Sequence, residues 1–420
     1  MTQDAELVGF LYCDLGGMVR GRFVAVGDLE RRVASGVGWV PANQVMTPFD
    51  RLVTPNPFGS LGDLRLRPDP DSRVRVPAGD EPPLDFMLCG AYRPDGSPWE
   101  ACPRAFLQAT VAELLAETGA VAHVAFEHEF RLGPVAARGP AFSLRALRAL
   151  EPLPSRIFEA LRAGGLEPEL MLPESGPVQF EAPCAPAPAV VAADRAVALR
   201  EVVRDVARRH GSAASFAPLA TPDGKASGVH IHVSLWDDSG AGRFHDPARP
   251  LELSEVGAAF AAGVLHHARA VSALSASSAV SALRLAPGRW SAGAVALGGP
   301  DREALLRIPS RVRDEDAPGS LRLEYRGADA TASPYLALGA LLTAGLDGIR
   351  CARRSEPLPP AAALPRSLEE ALDALERDEV IAAALPPLLL ESFLLVKRGE
   401  LADLGDAGPE ERCARYAAVY

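Results

Sequence analysis

Four short stretches of the chain set carboxylates, imidazoles and guanidiniums two residues apart. They are Val124-Ala125-Phe126-Glu127-His128-Glu129-Phe130-Arg131-Leu132, Val178-Gln179-Phe180-Glu181, Gly228-Val229-His230-Ile231-His232-Val233-Ser234-Leu235 and Leu321-Arg322-Leu323-Glu324-Tyr325-Arg326. Side chains on a strand alternate between two faces, and residues two apart sit roughly 7 Å from each other along one face. Read as strands, each stretch has an apolar side and a side dense in Glu, His or Arg. Glu127, Glu129 and Arg131 share a face. So do Gln179 and Glu181, with Glu174 just upstream; His230, His232 and Ser234; and Arg322, Glu324 and Arg326.

One reading of each strand is an amphipathic sheet with a solvated outer face. Runs of the His-x-His-x-Ser and Glu-x-Glu kind are unusual there, where Lys, Thr and mixed charge prevail. If the four faces converge, their carboxylates repel and cannot all stay ionised without cations. Either their pKa values rise or a metal neutralises them. Zinc sites favour Cys and His in a tetrahedral group. Here Glu dominates, and hard oxygen ligands favour Mg²⁺ or Mn²⁺. Arginines on the same faces suit a transferring phosphoryl group. The chemistry indicated is metal-dependent phosphoryl transfer. The chain has neither a Walker-type Gly-rich loop nor a kinase catalytic loop. His128, on the apolar face, reads as a core histidine. His266 and His267 read as structural or surface groups, and Arg311 and Arg313 as solvated.

The elements that must position these strands follow from periodicity. Residues 7–26 read as two strands around the turn Asp14-Leu15-Gly16-Gly17, and residues 43–98 as short strand pieces in Pro-, Gly- and Asp-rich sequence. A small β-rich domain is expected over residues 1–95, with Asp95-Gly96-Ser97-Pro98 as a boundary turn and the rest of the chain, 96–420, as a second domain. A helix is predicted from Pro103 to a stop at Gly119, and another over 194–210 with Gly211 as its stop. Further helices are predicted over 255–275, 334–349 and 367–375. The Pro/Ala-rich segments 182–189 and 357–365 read as connectors.

The 420 residues can bury a large core. With 54 acidic against 43 basic residues the formal charge is −11, which argues against a general nucleic-acid binder. The six scattered cysteines form no Cys-x-x-Cys pair and fit free thiols in a reducing compartment. The acidic N-terminus lacks the basic start of a signal peptide, and the apolar stretches are too interrupted for a membrane span. A cytoplasmic location is the expectation.

Taken in order, the motifs resemble the glutamine synthetase family over nearly the whole chain. Asp14-Leu15-Gly16-Gly17-Met18-Val19-Arg20-Gly21-Arg22 is similar to its β-grasp domain, and Gly62-Asp63 to Arg67-Pro68-Asp69 to that domain's end. Glu127-His128-Glu129-Phe130, Glu174 with Gln179-Phe180-Glu181, Ser227-Gly228-Val229-His230-Ile231-His232, Arg307-Ile308-Pro309 and Arg322-Leu323-Glu324-Tyr325-Arg326 follow in the family's order. Ser333-Pro334-Tyr335-Leu336-Ala337 and Ala344-Gly345-Leu346-Asp347-Gly348 match the helix after the last site strand.

The resemblance implies an α+β fold: a small N-terminal β-grasp domain, then a glutamine synthetase-type catalytic domain with a curved antiparallel sheet flanked by helices. It implies that Glu129, Glu174 and Glu181 hold one divalent ion, and Glu127, His230 and Glu324 a second, nearer the nucleotide phosphates. His232, Ser234 and Arg322 fall at nucleotide-associated positions. Arg302 and Arg307 match arginines that stabilise the transferring phosphoryl group, and Arg284 and Arg326 those that hold the acid's carboxylates. The implied reaction uses ATP to phosphorylate the γ-carboxylate of glutamate or a similar acid; an amine then displaces phosphate, a far better leaving group than a carboxylate oxygen. The family also implies a homo-oligemeric ring, hexameric or dodecameric, with sites between neighbours.

Departures cluster on the substrate side. Leu219 stands where the family usually has Lys, and Val280-Ser281-Ala282-Leu283-Arg284 keeps only the Ser and final Arg of the family's Asn-Ser-Tyr-Lys-Arg run. Trp290 takes the place of the flap Glu that closes over ammonium, as in the γ-glutamyl-polyamine and related ligases. An acidic flap suits a small cation, whereas an indole suits a larger amine through apolar and cation–π contact. Asp50 corresponds to the Asp that helps deprotonate ammonium, though Arg51-Leu52-Val53 departs from its usual context. The expectation is therefore a ligase using an amine other than ammonia. The rivals are a glutamine synthetase proper, a catalytically silent structural or regulatory subunit, and a metal-dependent hydrolase, for which the phosphate-directed arginines would be superfluous.

Overall fold

The computed structural model describes residues 6–133, 139–310, 320–352 and 363–420. Arg311, Arg313 and most of the expected connector at 357–365 lie outside the described residues.

The apolar run after Glu6 forms strand β1 (Leu7–Cys13), and the turn at Gly16-Gly17 returns it as β2 (Val19–Ala25). Gly17 sits at φ +75°, which a turn this tight requires of a residue without a Cβ. After the helix Leu29–Ser35 come β3 (Val37–Trp39), β4 (Leu64–Pro68), β5 (Val74–Val76) and β6 (Leu84–Tyr92). The sheet order is β2-β1-β6-β4-β3 with β5 on β6, and the central pair β1 and β6 runs parallel. That is the expected β-grasp arrangement. The turn at 95–98 forms, closed by Asp95 accepting from the Ser97 N–H and hydroxyl.

The second sheet has nine strands: β7 (Ala120–Gly133), β8 (Leu172–Pro173), β9 (Gln179–Pro183), β10 (Ala187–Pro188), β11 (Ala213–Ser215), β12 (Val229–Asp237), β13 (Ala294–Gly298), β14 (Ala304–Arg307) and β15 (Leu323–Ala328). Its order is β13-β14-β15-β12-β7-β9-β8, with β10 and β11 also on β7. Every pairing in it is antiparallel except β13 with β14. Phe126, Phe130, Phe180, Ile231, Val233, Leu323 and Tyr325 are buried on its apolar side. The helices Pro103–Thr118, Ala189–Arg209, Glu255–His266, Ala268–Ser275 and Pro334–Arg350 share that core, and one apolar cluster runs from the first sheet through to them.

Periodicity located these helices but missed detail set by tertiary contacts. The helix expected over 194–210 begins five residues earlier, at Ala189. The one expected over 255–275 breaks at His267. That imidazole is buried, with Nδ1 2.7 Å from Asp378 and Nε2 3.0 Å from Asp347, two carboxylates on neighbouring helices. The helices Leu153–Ala163, Pro387–Leu404 and Pro409–Val419 were not foreseen.

A buried guanidinium ties the end of β4 in the first sheet to two helices of the shared core. Arg104, in the first turn of Pro103–Thr118, donates to Asp69 (2.7 Å) beyond β4 and to both oxygens of Asp194 (3.0 and 2.8 Å). The Tyr335 hydroxyl also donates to Asp194 (2.6 Å). Removing one partner from a buried pair leaves its counterpart dry and uncompensated. Arg104→Ala is therefore expected to cost about 3–5 kcal/mol, read as a fall in denaturant midpoint; a loss below about 1 kcal/mol, the value of an exposed pair, would show that this clamp is incidental.

Candidate active site

Strand register carries the four polar faces to one place. Glu129 lies opposite Glu181 across β7 and β9, Glu127 opposite His230 across β7 and β12, His232 opposite Glu324 across β12 and β15, and Arg307 opposite Glu324 across β14 and β15. Directly opposed residues have Cβ atoms about 4.5–5.5 Å apart, so these ladders alone stack the site.

The side chains complete it. His230 Nδ1 is 3.2 Å from Glu127 and 3.7 Å from Glu324, and His232 Nε2 is 2.9 Å from Glu127. Arg307 and Arg326 both pair with Glu324, which is almost fully buried. Arg322 Nε donates to His232 Nδ1 (3.2 Å), fixing that ring with its other nitrogen toward Glu127. Among the described residues two groups bring potential ligand atoms within 4.8 Å of one another: Glu127, Glu181 and His230, and Glu127, His232 and Glu324.

This differs in detail from the expected ligand sets. Glu127 is common to both groups, and His232, expected at a nucleotide position, stands among the candidate ligands. Glu129 and Glu174 belong to neither. Glu129 accepts from the Gln179 amide (3.0 Å) and the Gly228 N–H (3.2 Å), and Glu174 accepts from the Ser175 N–H (2.9 Å). Both still act on the cluster through their charge, since each raises the Glu181 carboxyl.

The electrostatics fit a cation. Burial and then the charges of Glu127, Glu129, Glu174 and Glu324 push the Glu181 carboxyl up to about 9. Burial opposes ionisation of Glu127 too, but His232 and His230 outweigh it and hold this carboxyl well below the usual range. Burial first, and the neighbouring carboxylates after it, thus keep the Glu181 carboxyl protonated near neutral pH. Its donors are carboxylate oxygens and imidazoles, with no thiolate among them, a set suited to Mg²⁺ or Mn²⁺.

The remaining expected residues divide. Arg302 is exposed at the site's edge, and its charge acts on Glu174. Ser234 accepts from the Trp236 indole (2.9 Å) and donates to the His123 carbonyl (3.4 Å). Arg284 is buried; its Nη2 donates to the Arg326 carbonyl (3.0 Å) and its Nη1 finds no partner. Arg326 has every guanidinium nitrogen engaged: by Glu324, by the Ser291 and Arg302 carbonyls, and by the Trp290 carbonyl. Trp290 is 74% exposed, which excludes a packing role for its indole. Asp50 lies apart on the first sheet's side, exposed and bonded to Arg20 (2.7 Å). His128 is in the core as expected, against Phe126 and Phe216; burial lowers it to about 3, so it is neutral there.

Leu219 and Val280 prove to be one feature. Both are fully buried in a small cluster with Ala217, Leu404, Cys413, Tyr416 and Tyr420. Sequence reasoning assigned no role to Gln179, although its position on the Glu181 face was visible. Its amide bonds Glu129, the Ala226 carbonyl and Ser227 together.

Residues 1–99 match the glutamine synthetase N-terminal domain and residues 100–416 the glutamine synthetase catalytic domain. The chain is 33% identical over 449 aligned positions to the gamma-glutamylpolyamine synthetase of Streptomyces coelicolor, covering all of this chain and 94% of that protein. Among solved structures, one described as a novel glutamine synthase homolog superposes with a TM-score of 0.94 at 45% identity, covering 99% of this chain and 98% of its own. Another, solved as a GmaS/ADP complex, gives 0.82 at 28%, covering 96% and 94%. This chain belongs to the glutamine synthetase family. It is an ATP-dependent carboxylate–amine ligase.

Because Glu181 is protonated near neutral pH, metal binding must displace that proton. Affinity for Mn²⁺ is expected to rise between pH 7 and 9, by up to about tenfold per unit for one linked proton, and to level off above 9. Calorimetric titration in two buffers of different ionisation enthalpy reads the released proton. Glu181→Gln should abolish the release.

Proposed function

We propose that this ligase condenses glutamate, or a glutamate-like acid, with an amine other than ammonia through an acyl phosphate. One observation carries the choice of amine: the loop position where an acidic flap would serve ammonium holds an exposed indole, Trp290. The relationship to a gamma-glutamylpolyamine synthetase supports the same reading.

Glu127, Glu129, Glu174, Glu181, His230, His232 and Glu324 form the set from which divalent ions, Mg²⁺ or Mn²⁺, take their ligands. Bound there, such ions supply Lewis-acid neutralisation of the nucleotide phosphates. Gln179 orients Glu129, and Arg322 orients His232, each by a direct hydrogen bond. Arg307, held by Glu324, and the exposed Arg302 offer positive charge to the phosphoryl group as it moves to the acid. Arg322 and Ser234 line the nucleotide side. Arg284, with a buried and unpartnered Nη1, is the arginine free to receive a carboxylate of the acid. Phosphorylation makes the γ-carboxyl reactive because phosphate leaves readily where oxide would not. Arginines held by carbonyls and carboxylates keep this orientation without reorganising as the charge moves.

Asp50, remote within one chain, would serve a neighbouring subunit's site if the chains assemble as a ring. Light scattering of the purified protein tests that assembly. We place the domain boundary near residue 95, between β6 and the helix beginning at Pro103, and the enzyme in the cytoplasm, in nitrogen metabolism. None of the described helices is long and apolar enough to cross a membrane.

The decisive experiment is phosphate release from ATP with glutamate, screened against ammonium, putrescine, ethanolamine and phenethylamine. Turnover is expected with an organic amine and weakly, at most, with ammonium. Release with ammonium alone would overturn the reading of Trp290, and no release with any amine would favour a silent subunit. Glu324→Ala, which removes a candidate ligand and the partner of two arginines, is expected to weaken metal-dependent ATP binding by about two orders of magnitude, measured by calorimetry with Mg²⁺. Trp290→Glu is expected to shift the ratio of kcat/KM values toward ammonium by about tenfold or more.

A further inference from the structure

The loop that carries Trp290 is held from both sides. On one side stands Glu303, which ends the turn into β14. Its Oε1 accepts from the Trp290 N–H (2.5 Å) and its Oε2 from the Gly288 N–H (3.1 Å). The backbone of Glu303 is itself fixed, its N–H by Asp301 (2.9 Å) and its carbonyl by the Ala294 N–H (3.0 Å), where β13 meets β14. Space for the carboxylate is kept by Gly293, where a Cβ would come within 2.4 Å of Glu303 Oε2. On the other side Arg326 donates to the Trp290 carbonyl (3.1 Å) and the Ser291 carbonyl (3.1 Å), and the Ser291 hydroxyl donates to the Arg284 carbonyl (2.7 Å). Arg289 ties the loop to the Gly224 (3.1 Å) and Pro222 (2.7 Å) carbonyls.

These bonds hold Trp290 where an isolated chain would not. Its φ is +57°, a left-handed conformation that a bulky residue adopts only when surrounding contacts impose it. Its indole is 74% exposed, so apolar packing does not compensate the strain. A carboxylate that accepts from two backbone N–H groups forms charge-assisted bonds, stronger than neutral ones. Glu303 and Arg326 hold the two peptide units that flank the Trp290 Cα, one by the Trp290 N–H and the other by the Trp290 C=O, and Arg326 also holds Glu324.

We infer that Glu303 is a positioning residue for amine selection: it clamps the 288–290 backbone so that the Trp290 indole is presented at the amine side of the site. Each Glu303 oxygen accepts from a main-chain N–H of the loop, and the role inferred for it is exerted through Trp290. The inference rests on the proposed role of Trp290 in amine selection.

The test compares Glu303→Gln, Glu303→Ala and Trp290→Ala in the full-length enzyme. The amine is whichever of putrescine, ethanolamine or phenethylamine gives the fastest phosphate release. Glu303→Gln keeps the side-chain shape but one acceptor oxygen. It is expected to raise the amine KM several-fold, and Glu303→Ala about as much as Trp290→Ala, with the KM for ATP unchanged. A second readout needs no turnover: iodide quenching and anisotropy of tryptophan emission. Trp39 and Trp99 are buried and Trp236 is half-buried with its indole N–H on Ser234, so in a Trp236→Phe background the exposed Trp290 should dominate the quenchable part, and the anisotropy of that part should fall in Glu303→Ala. Amine KM raised by Trp290→Ala but untouched by both Glu303 variants would overturn the clamp while leaving the proposed function standing. Amine KM insensitive to Trp290→Ala would instead sink the reading of Trp290 beneath it. Unchanged anisotropy in a folded Glu303→Ala would also refute the clamp, whatever the kinetics.

Discussion

Carboxylates facing one another across a sheet are the constraint around which this molecule is arranged. Glu127, Glu129, Glu174, Glu181 and Glu324 act on a common volume, and their repulsion is felt most by Glu181. The structure answers with positive charge at fixed positions. Arg307 and Arg326 neutralise Glu324, and His230 and His232 flank Glu127. What remains uncompensated is the Glu181 side of the cluster, next to Glu127 and His230. A site that has offset most of its own charge, but not all, is one that a divalent cation completes.

Much of this was legible in the chain. Alternation two residues at a time marks a strand with one face buried, and a one-residue slip would turn every polar group into the core. The sequence pattern therefore separated His128, which lies in the core, from Glu127 and Glu129 on the opposite face. The convergence of separate strands was foreseeable only as an electrostatic necessity, and from the resemblance, because register between distant segments leaves no local trace. The partition of ligands was not legible: whether Glu129 faces a metal or the Gln179 amide depends on hydrogen bonds between residues 50 positions apart. Nor was the clamp on Trp290, which joins Glu303 to a loop 13 residues earlier through main-chain N–H groups that no side-chain pattern reports.

Arg326 shows how a motif position can be recognised while its contacts are not. Its place two residues after Glu324 was evident, and the resemblance assigned it to the acid's carboxylates. In the structure its planar fork is shared among one carboxylate and three carbonyls. Such a guanidinium is rigid in a way a lysine ammonium is not. It links the strand bearing Glu324 to the loop bearing Trp290, so the acidic cluster and that loop share a wall.

The small cluster around Leu219 and Val280 couples two substitutions. Two positions that sequence comparison would score as separate losses touch the same dry interior, with Tyr416 and Tyr420 closing it. Lysine at 219 alone would bring an ammonium into a largely apolar cluster, and asparagine at 280 alone would bury an amide there. The two positions are therefore coupled through packing: a polar side chain at either one calls for a change in the neighbours that enclose it.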